Sequence, residues 1–368
     1  MTRPVNREQG SDFHWLSWKG SECVSPWSQR FVPYGSGRDA LRALLLHGME
    51  YRGWKRLWIP SYFCQDVVSS IYSTGIGVKV YPDRPDTHKI QLNVINEIVP
   101  GDVFFRVNFF GLRDGQSMDR SGVKGMEIID DHTHDPWSDW AWGTDADWCI
   151  ASLRKALPVP DGGVVWSPVG HELPPKKNLS YRHYVASLEK YASMFMKTMY
   201  LESRFLDKEI FRRLSVSGEQ NISVSGEEVS GISEWTLKIM ESFPVMKWRE
   251  RRNFNHKVFL SSLDDVNWMT VLKAVEGSGC CPFSGVIIFD SSSRRTYIKD
   301  RLMENDIYPA ILWPLDNAVV QEIPEEHKDL SRKMLSIHCD MRYEDSDIKR
   351  VARLIRKYGN EFESIRHE

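Results

Sequence analysis

Between Phe31 and Pro168, short apolar runs alternate with stretches in which apolar residues recur every three or four positions. Asp39-Ala-Leu-Arg-Ala-Leu-Leu-Leu-His47 reads as a helix whose N-terminus is at Ser36-Gly37-Arg38. Arg56 to Ile59 reads as a short strand that stops at Pro60, and Asp66 to Tyr72 as a second helix ended by Thr74-Gly75. Gly77–Tyr81, Asp102–Asn108, Met126–Asp130, Trp148–Ser152 and Gly163–Trp166 follow as strands. Short strands separated by helices predict βαβ units and a mostly parallel, doubly wound α/β sheet. Such sheets bind ligands at the carboxyl ends of their strands.

From Leu179 to Glu241 the pattern is longer and helical, with a Ser/Gly-rich interruption predicted from Ser215 to Ser233. The segment Trp248 to His256 reads as a continuing helix. An α/β pattern then returns: strand Ser284–Phe289, helix Arg294–Asn305, strand Met334–Ile337, and a last helix from about Ser346 to Lys357. The expected organisation is a large domain over residues 1–245 and a smaller C-terminal α/β domain over 246–368. The segment before Phe31 is expected to pack on the small domain.

Charge narrows the function classes. With 48 Lys and Arg against 50 Asp and Glu, the formal net charge is -2, which argues against a general binder of nucleic acid. No apolar run approaches the roughly 20 residues of a membrane-spanning helix. Arg3, Arg7, Glu8, Asp12 and Lys19 stand where a secretory signal would be apolar. The 6 cysteines are scattered, without a Cys-x-x-Cys pair, so reduced thiols are expected. A soluble, cytoplasmic protein without nucleic-acid or membrane partners follows as the expectation.

Four features fall where strands should end. Gly35-Ser36-Gly37-Arg38-Asp39 opens a helix, where free N–H groups and the helix dipole favour an anion; a plain capped turn uses the same residues. Asp130-Asp131-His132-Thr133-His134-Asp135 offers metal ligands, or a carboxylate facing a cationic heterocycle, or a solvated acidic turn. Lys155 follows a buried strand and precedes Pro158-Val-Pro160, and desolvation there lowers an amine's pKa toward that of a Schiff-base lysine; most lysines beside turns are surface residues. Pro60-Ser61-Tyr62-Phe63-Cys64 brings aromatics that stack on a planar ligand or fill the core.

Together, in this order and spacing, the four resemble the DegT/DnrJ/StrS-type nucleotide-sugar aminotransferases, which are fold-type-I enzymes dependent on pyridoxal 5'-phosphate (PLP). Ser36-Gly37-Arg38-Asp39-Ala40-Leu41 is similar to the family's Ser-Gly-Thr-x-Ala-Leu turn, and Ile129-Asp130-Asp131-His132-Thr133-His134 to its Ile-Glu-Asp-Ala-Ala-His/Gln strand end. Lys155 with Asp161-Gly162-Gly163 resembles the family's lysine and its Glu-Gly-Gly. Trp313-Pro314 and Leu335 to Tyr343 resemble its C-terminal segments. Arg38 stands where Thr is usual, Ile150 where Ser is usual, and Cys64 at the ring-stacking position; residues 179–235 match poorly.

The resemblance implies a PLP-transferase-like fold with a mostly parallel mixed sheet and Lys155 as the catalytic lysine that carries the cofactor. It implies that Asp131 faces the pyridine nitrogen and His134 the ring hydroxyl. Ser36, Gly37, Arg38 and Ser152 would hold the phosphate, and Phe63, or else Tyr62, would stand in for the stacking residue. The implied substrates are a nucleotide-linked keto-sugar and an amino-acid donor, glutamate first, in a homodimer. Dehydration of a sugar in the same scaffold and a non-catalytic relative stay open as alternatives. The 14 tryptophans, clustered at Trp137, Trp140, Trp142 and Trp148 with Trp313 beyond, are candidates for ring-covering walls as well as for core.

Overall fold

A computed structural model describes residues 8–10, 12–18, 31–90, 97–115, 125–202, 206–222, 224, 228–277 and 279–367. After the two-residue β1 (Gln9–Gly10), the main sheet is built from β2 (Phe31–Tyr34), β3 (Arg56–Pro60), β4 (Gly77–Tyr81), β5 (Asp102–Val107), β6 (Glu127–Asp131), β7 (Trp148–Ser152) and β8 (Gly163–Trp166). Their order in space is β2-β8-β7-β6-β5-β3-β4. The five strands β4, β3, β5, β6 and β7 run parallel, whereas β8 is antiparallel to both β7 and β2. Every residue of β5 and β6 is buried, as strands covered on both faces require.

Helices α1 (Gly37–Tyr51), α2 (Gln65–Tyr72), α3 (Asp139–Gly143) and α4 (Leu153–Ala156) connect these strands. Helix α1 forms because Ser36 caps it, accepting from Asp39 N–H at 3.1 Å, and because Leu41, Leu44 and Leu45 lie on its buried side. Each such leucine stabilises the fold by about 1.5–3 kcal/mol.

Beyond the sheet, α5 (Tyr181–Glu202) and α6 (Lys208–Asn221) pack as a helical pair, followed by α7 (Glu234–Ser242) and α8 (Val245–Ser261). The expected interruption at Ser215 begins later. Ser215 and Gly218 are inside α6, and a Cβ on Gly218 would come 2.8 Å from the Ala186 carbonyl oxygen. Small residues here allow close helix contact and do not end the helix. Trp248 to His256 are helical as expected, within α8, which is separated from α7 because the residue before Pro244 is extended (Phe243, φ -71, ψ 129), as the proline demands.

A three-stranded antiparallel sheet of β9 (Met269–Val271), β10 (Gly285–Phe289) and β12 (Met334–Ile337) has β10 at its centre. Helices α9 (Ser292–Met303), α10 (Glu325–Lys333) and α11 (Asp345–His367) surround it. Helix α11 runs past the expected Lys357 through Gly359, whose missing side chain makes room for the Trp268 ring. Val286 and Met334 share one apolar cluster with Leu41, Leu44 and Ile59, so the two sheets have a common core.

The N-terminal segment ties distant parts together. β1 pairs in parallel with β11 (Ile307–Tyr308), and Gly10 N–H donates to the Tyr343 hydroxyl at 2.8 Å. Further on, Trp15 N–H donates to the Met194 carbonyl of α5 at 3.0 Å, and its ring stacks on Phe195. Residues 19–30, in the segment expected to pack on the small domain, lie outside the described residues. Among the described residues, no helix is long and apolar enough to cross a membrane.

Candidate active site

The carboxyl ends of β3, β6 and β7 border a cavity of about 440 Å³. Ser36, Gly37, Arg38 and Phe63 line it, and so do Asp131, His134, Ser152 and Lys155. These are the eight residues to which the resemblance assigns a part in the site.

Strand geometry separates the two aspartates of β6. Side chains alternate across a strand, so Asp130 and Asp131 go opposite ways. Asp130 meets the Arg106 guanidinium of β5 in a two-pronged pair (2.6 and 2.9 Å). Burial alone would raise the Asp130 pKa, but Arg106 holds it down at about 2. Asp131 lines the cavity instead, and its Oδ1 accepts from Thr133 N–H at 2.8 Å. Burial pushes its pKa up, only partly offset by Thr133. A carboxylate in that state gains most from a cationic partner.

Thr133 joins the two strand ends, since its Oγ1 also accepts from Ser152 N–H at 3.0 Å. His134 Nδ1 accepts from Phe110 N–H at 3.2 Å, which leaves the proton of a neutral ring on Nε2. Burial, with the charge of Lys155 added, pushes its pKa down to about 3, so the ring is neutral. Phe110, Phe283 and Trp313 surround this imidazole at ring-centre distances of 4.9–5.5 Å. Phe110 and Trp313 both hold left-handed backbone (φ 56 and 61), a strained state for bulky residues that tends to gather at functional sites.

His132 goes elsewhere. It is buried with its ring edge-on to Trp140 and its Nε2 3.6 Å from Asp130. Among the described residues, the groups close enough to share a metal are Asp130/His132/Cys149 and Glu127/Asp147/His171. Neither includes His134, so His132 and His134 do not form the metal pair that their spacing offered.

The Ser36 turn is held by tight backbone packing. Gly162 N–H donates to the Gly35 carbonyl, and a Cβ on Gly163 would come 2.2 Å from the Ser36 carbonyl oxygen. A Cβ on Gly37 would come 2.6 Å from Ser152 Cβ and 3.3 Å from Ser152 Oγ, so this hydroxyl stands beside the turn. The Ser36 hydroxyl itself is occupied with Asp39, and the first N–H groups of α1 have no intrahelical acceptor. Asp161 is fully buried, accepts from Ser233 N–H (2.9 Å) and Ser233 Oγ (2.7 Å), and pairs with His183 at 3.1 Å. It braces the turn and does not line the cavity. Gly163→Ala is therefore expected to cost about 1–3 kcal/mol, read as a lower urea midpoint; an unchanged midpoint would show that the turn can shift freely.

Arg38 lines the cavity, but its guanidinium donates to the Ile222 carbonyl at 3.0 Å and lies 3.9 Å from Glu219. Phe63 is 1% exposed and meets Phe105 and Trp313 edge-to-face. It is a wall residue anchored in the core, beside the half-buried Cys64. Trp137, Trp140 and Trp148 are core residues; of the clustered tryptophans Trp142 is exposed, and Trp313 alone among the five named from the sequence lines the cavity.

Lys155, on α4, is exposed by its own surface because it opens into the cavity. Protein nevertheless surrounds it beyond that space, and this desolvation lowers its pKa, with the charge of Arg154 adding to the effect. Arg154 in turn donates to Glu219 of α6 at 3.0 Å. Asp12, Phe13, Glu219 and Phe283 also line the cavity although no role was assigned to them from the sequence, and so does His338, whose pKa burial pushes down to about 4. Asp12, Phe13, Glu219 and Phe283 carry no local motif, and long-range folding brings them in, whereas His338 lies within the Leu335–Tyr343 segment.

No family model and no curated protein matches the sequence. Solved structures do. A Streptococcus pneumoniae protein assigned as a sugar aminotransferase, in its PLP-form, is 13% identical; the match spans 90% of this chain and 87% of that one, with a TM-score of 0.62. Helicobacter pylori PseC, an aminotransferase involved in the biosynthesis of pseudoaminic acid, is 12% identical over 96% of this chain and 100% of that one, with a TM-score of 0.62. DesI, solved in the presence of its TDP-sugar product, is 14% identical over 92% of this chain and 83% of that one, with a TM-score of 0.60. At these identities the likeness is one of fold. The chain has the α/β architecture of these aminotransferases, a mostly parallel mixed sheet flanked by helices.

Proposed function

We propose that this chain is a PLP-dependent aminotransferase that moves an amino group from an amino acid, glutamate first, to a nucleotide-linked keto-sugar. One observation carries the reading: an amine with a lowered pKa, a buried carboxylate with a raised one and a capped helix N-terminus line a single cavity. The neighbours support it, since one was solved in a PLP-form and another with a TDP-sugar product.

The donor set fits the cofactor. Asp131 would meet the ring nitrogen, where a positive charge relieves the cost of its burial. His134 would offer Nε2–H to the ring hydroxyl. The N–H groups of Gly37 and Arg38, with the Ser152 hydroxyl, would hold the phosphate. PLP, when bound, supplies the sink for the electrons left on the donor's α-carbon. Lys155 Nζ would anchor it and, once displaced by the donor, would take the proton from that α-carbon and deliver it to C4′ of the cofactor, a role that its lowered pKa suits. The homodimer and the division of the chain near residue 245 belong to the same proposal.

The test is spectral. Purified protein should take up about one equivalent of PLP and turn yellow, and glutamate should bleach the colour with release of 2-oxoglutarate. Absence of PLP uptake would end the reading. Uptake without bleaching by any common amino acid would favour sugar dehydration.

A further inference from the structure

Behind the cavity, on the other face of the main sheet, three side chains of different chemistry converge. Asp130 and His132 are two residues apart at the end of β6, so both point away from the side taken by Asp131. Cys149 of β7 stands beside Asp130 in the parallel register and shares that face. His132 and Cys149 are 0% exposed and Asp130 is 1% exposed. One ligand atom from each lies within 4.8 Å of those of the other two.

Neither nitrogen of the buried His132 ring makes a hydrogen bond, a costly state for a polar group closed off from water. Its Nε2 lies 3.6 Å from Asp130 Oδ2, too far for a hydrogen bond. That carboxylate is already held: Arg106 donates to both oxygens (2.6 and 2.9 Å), and the Thr144 hydroxyl donates to Oδ2 at 2.5 Å. Trp140 and Trp166 flank the imidazole, with ring centres 5.1 and 5.9 Å away.

An imidazole nitrogen, a carboxylate oxygen and a thiolate sulfur are together a donor set for zinc. Tetrahedral ligands at zinc bond lengths of about 2.0–2.2 Å stand about 3.4 Å apart, close to the His132–Asp130 spacing. Charge points the same way. Arg106 carries one positive charge and pairs with both Asp130 and Asp145, which leaves one negative charge in excess. A divalent cation that displaces the Cys149 proton adds one net positive charge and cancels that excess. Burial first, then the charge of Asp130, pushes the Cys149 thiol pKa up; a coordinated cation overrides both, because a coordinating thiol is deprotonated. The Arg106 and Thr144 bonds suit the same role, since carboxylates that ligate a metal are themselves hydrogen-bonded.

We propose that Asp130, His132 and Cys149 bind one zinc ion, which fixes β6 to β7 behind Asp131. Binding breaks the Cys149 S–H bond, forms the zinc–sulfur bond and releases one proton. The ion lies on the face away from the cavity, so it holds the strand that bears Asp131 without touching the reacting atoms. The proposal goes beyond the aminotransfer reading and does not depend on it.

Because the site is closed to solvent, the ion enters as the chain folds. The test therefore uses full-length protein grown in zinc-supplemented medium and purified without a metal-binding tag. Mass spectrometry should find about one zinc per chain, and X-ray absorption at the zinc edge should show a single sulfur neighbour at about 2.3 Å among nitrogen and oxygen. Cys149→Ala and His132→Phe should each lower the zinc content at least about tenfold, the cost of losing even an outer partner of a ligand. Neither variant buries a new polar group. A wild type purified free of zinc overturns the site. So does zinc retained in full by either folded variant, which would place the ion elsewhere, as at Glu127, Asp147 and His171. If neither variant folds, the absorption spectrum of the wild type still decides, because a zinc without a sulfur neighbour overturns the site.

Discussion

Replacing Lys155 with alanine should leave a folded protein that has lost amino transfer by about a thousandfold or more. The fold should survive because the anchors of α4 are Leu153 and Ala156, both buried, whereas Lys155 opens into the cavity. Substitutions away from packed or paired groups shift stability by only about 0.5 kcal/mol. The activity should fall because the variant removes the proton carrier, worth about 10²–10⁴-fold, together with the anchoring amine. Borohydride treatment of the PLP-loaded wild type should fix the cofactor to the peptide containing Lys155, and the variant should show no such peptide. Fixation at Lys190, which lines an adjoining cavity, would move the chemistry to the other side of the site. A small added amine such as methylamine should restore part of the proton transfer in the variant, an effect that loss of folding would not give.

How much of this was legible in the sequence depends on the distance over which each feature is encoded. The strands from β3 to β8 stand out because their apolar runs lie between turn residues and helices. That β8 is antiparallel does not stand out, because a buried run such as Gly163–Trp166 reads alike in either direction. β1, β9 and β11 have two or three residues each, too short for any periodicity. At the site, Ser36, Asp131, His134 and Lys155 were visible because each sits within a few residues of a strand end or helix start. Asp12 and Glu219 were not, since 203 positions separate Asp12 from its partner Ser215. The described tryptophans mostly serve the core and its buried carboxylates: Trp58 Nε1–H donates to Asp102 at 2.8 Å, and Trp54 Nε1–H donates to Glu127. Trp313 is the one of the cluster named from the sequence that reaches the cavity.

Asp130 and Asp131 are adjacent and chemically identical, yet their asparagine variants should fail in opposite ways. Asp130→Asn should destabilise the fold by about 3–5 kcal/mol, because Arg106 and Asp130 are each 1% exposed and removing one partner leaves a buried charge. The lower end is expected, since Asp145 keeps a contact with Arg106 at 2.8 Å. The pH dependence carries the same signature. A carboxyl whose folded pKa is depressed from 3.8 to about 2 contributes stability above pH 4 that is lost as the pH falls toward 2. The wild type should lose that increment on acidification, and Asp130→Asn should have none of it to lose. Asp131 has the opposite sign. Its raised pKa means that the ionised form is disfavoured by folding, so stability declines as the pH climbs through its folded pKa. Asparagine mimics the protonated form, and Asp131→Asn should be as stable as the wild type at neutral pH, or more so. Its loss should be in cofactor affinity, about 10–100-fold for one charge-assisted hydrogen bond. Urea unfolding and PLP titration of the two variants decide the matter: equal stabilities, or equal PLP affinities, would show that the two faces of β6 do not divide structure from chemistry.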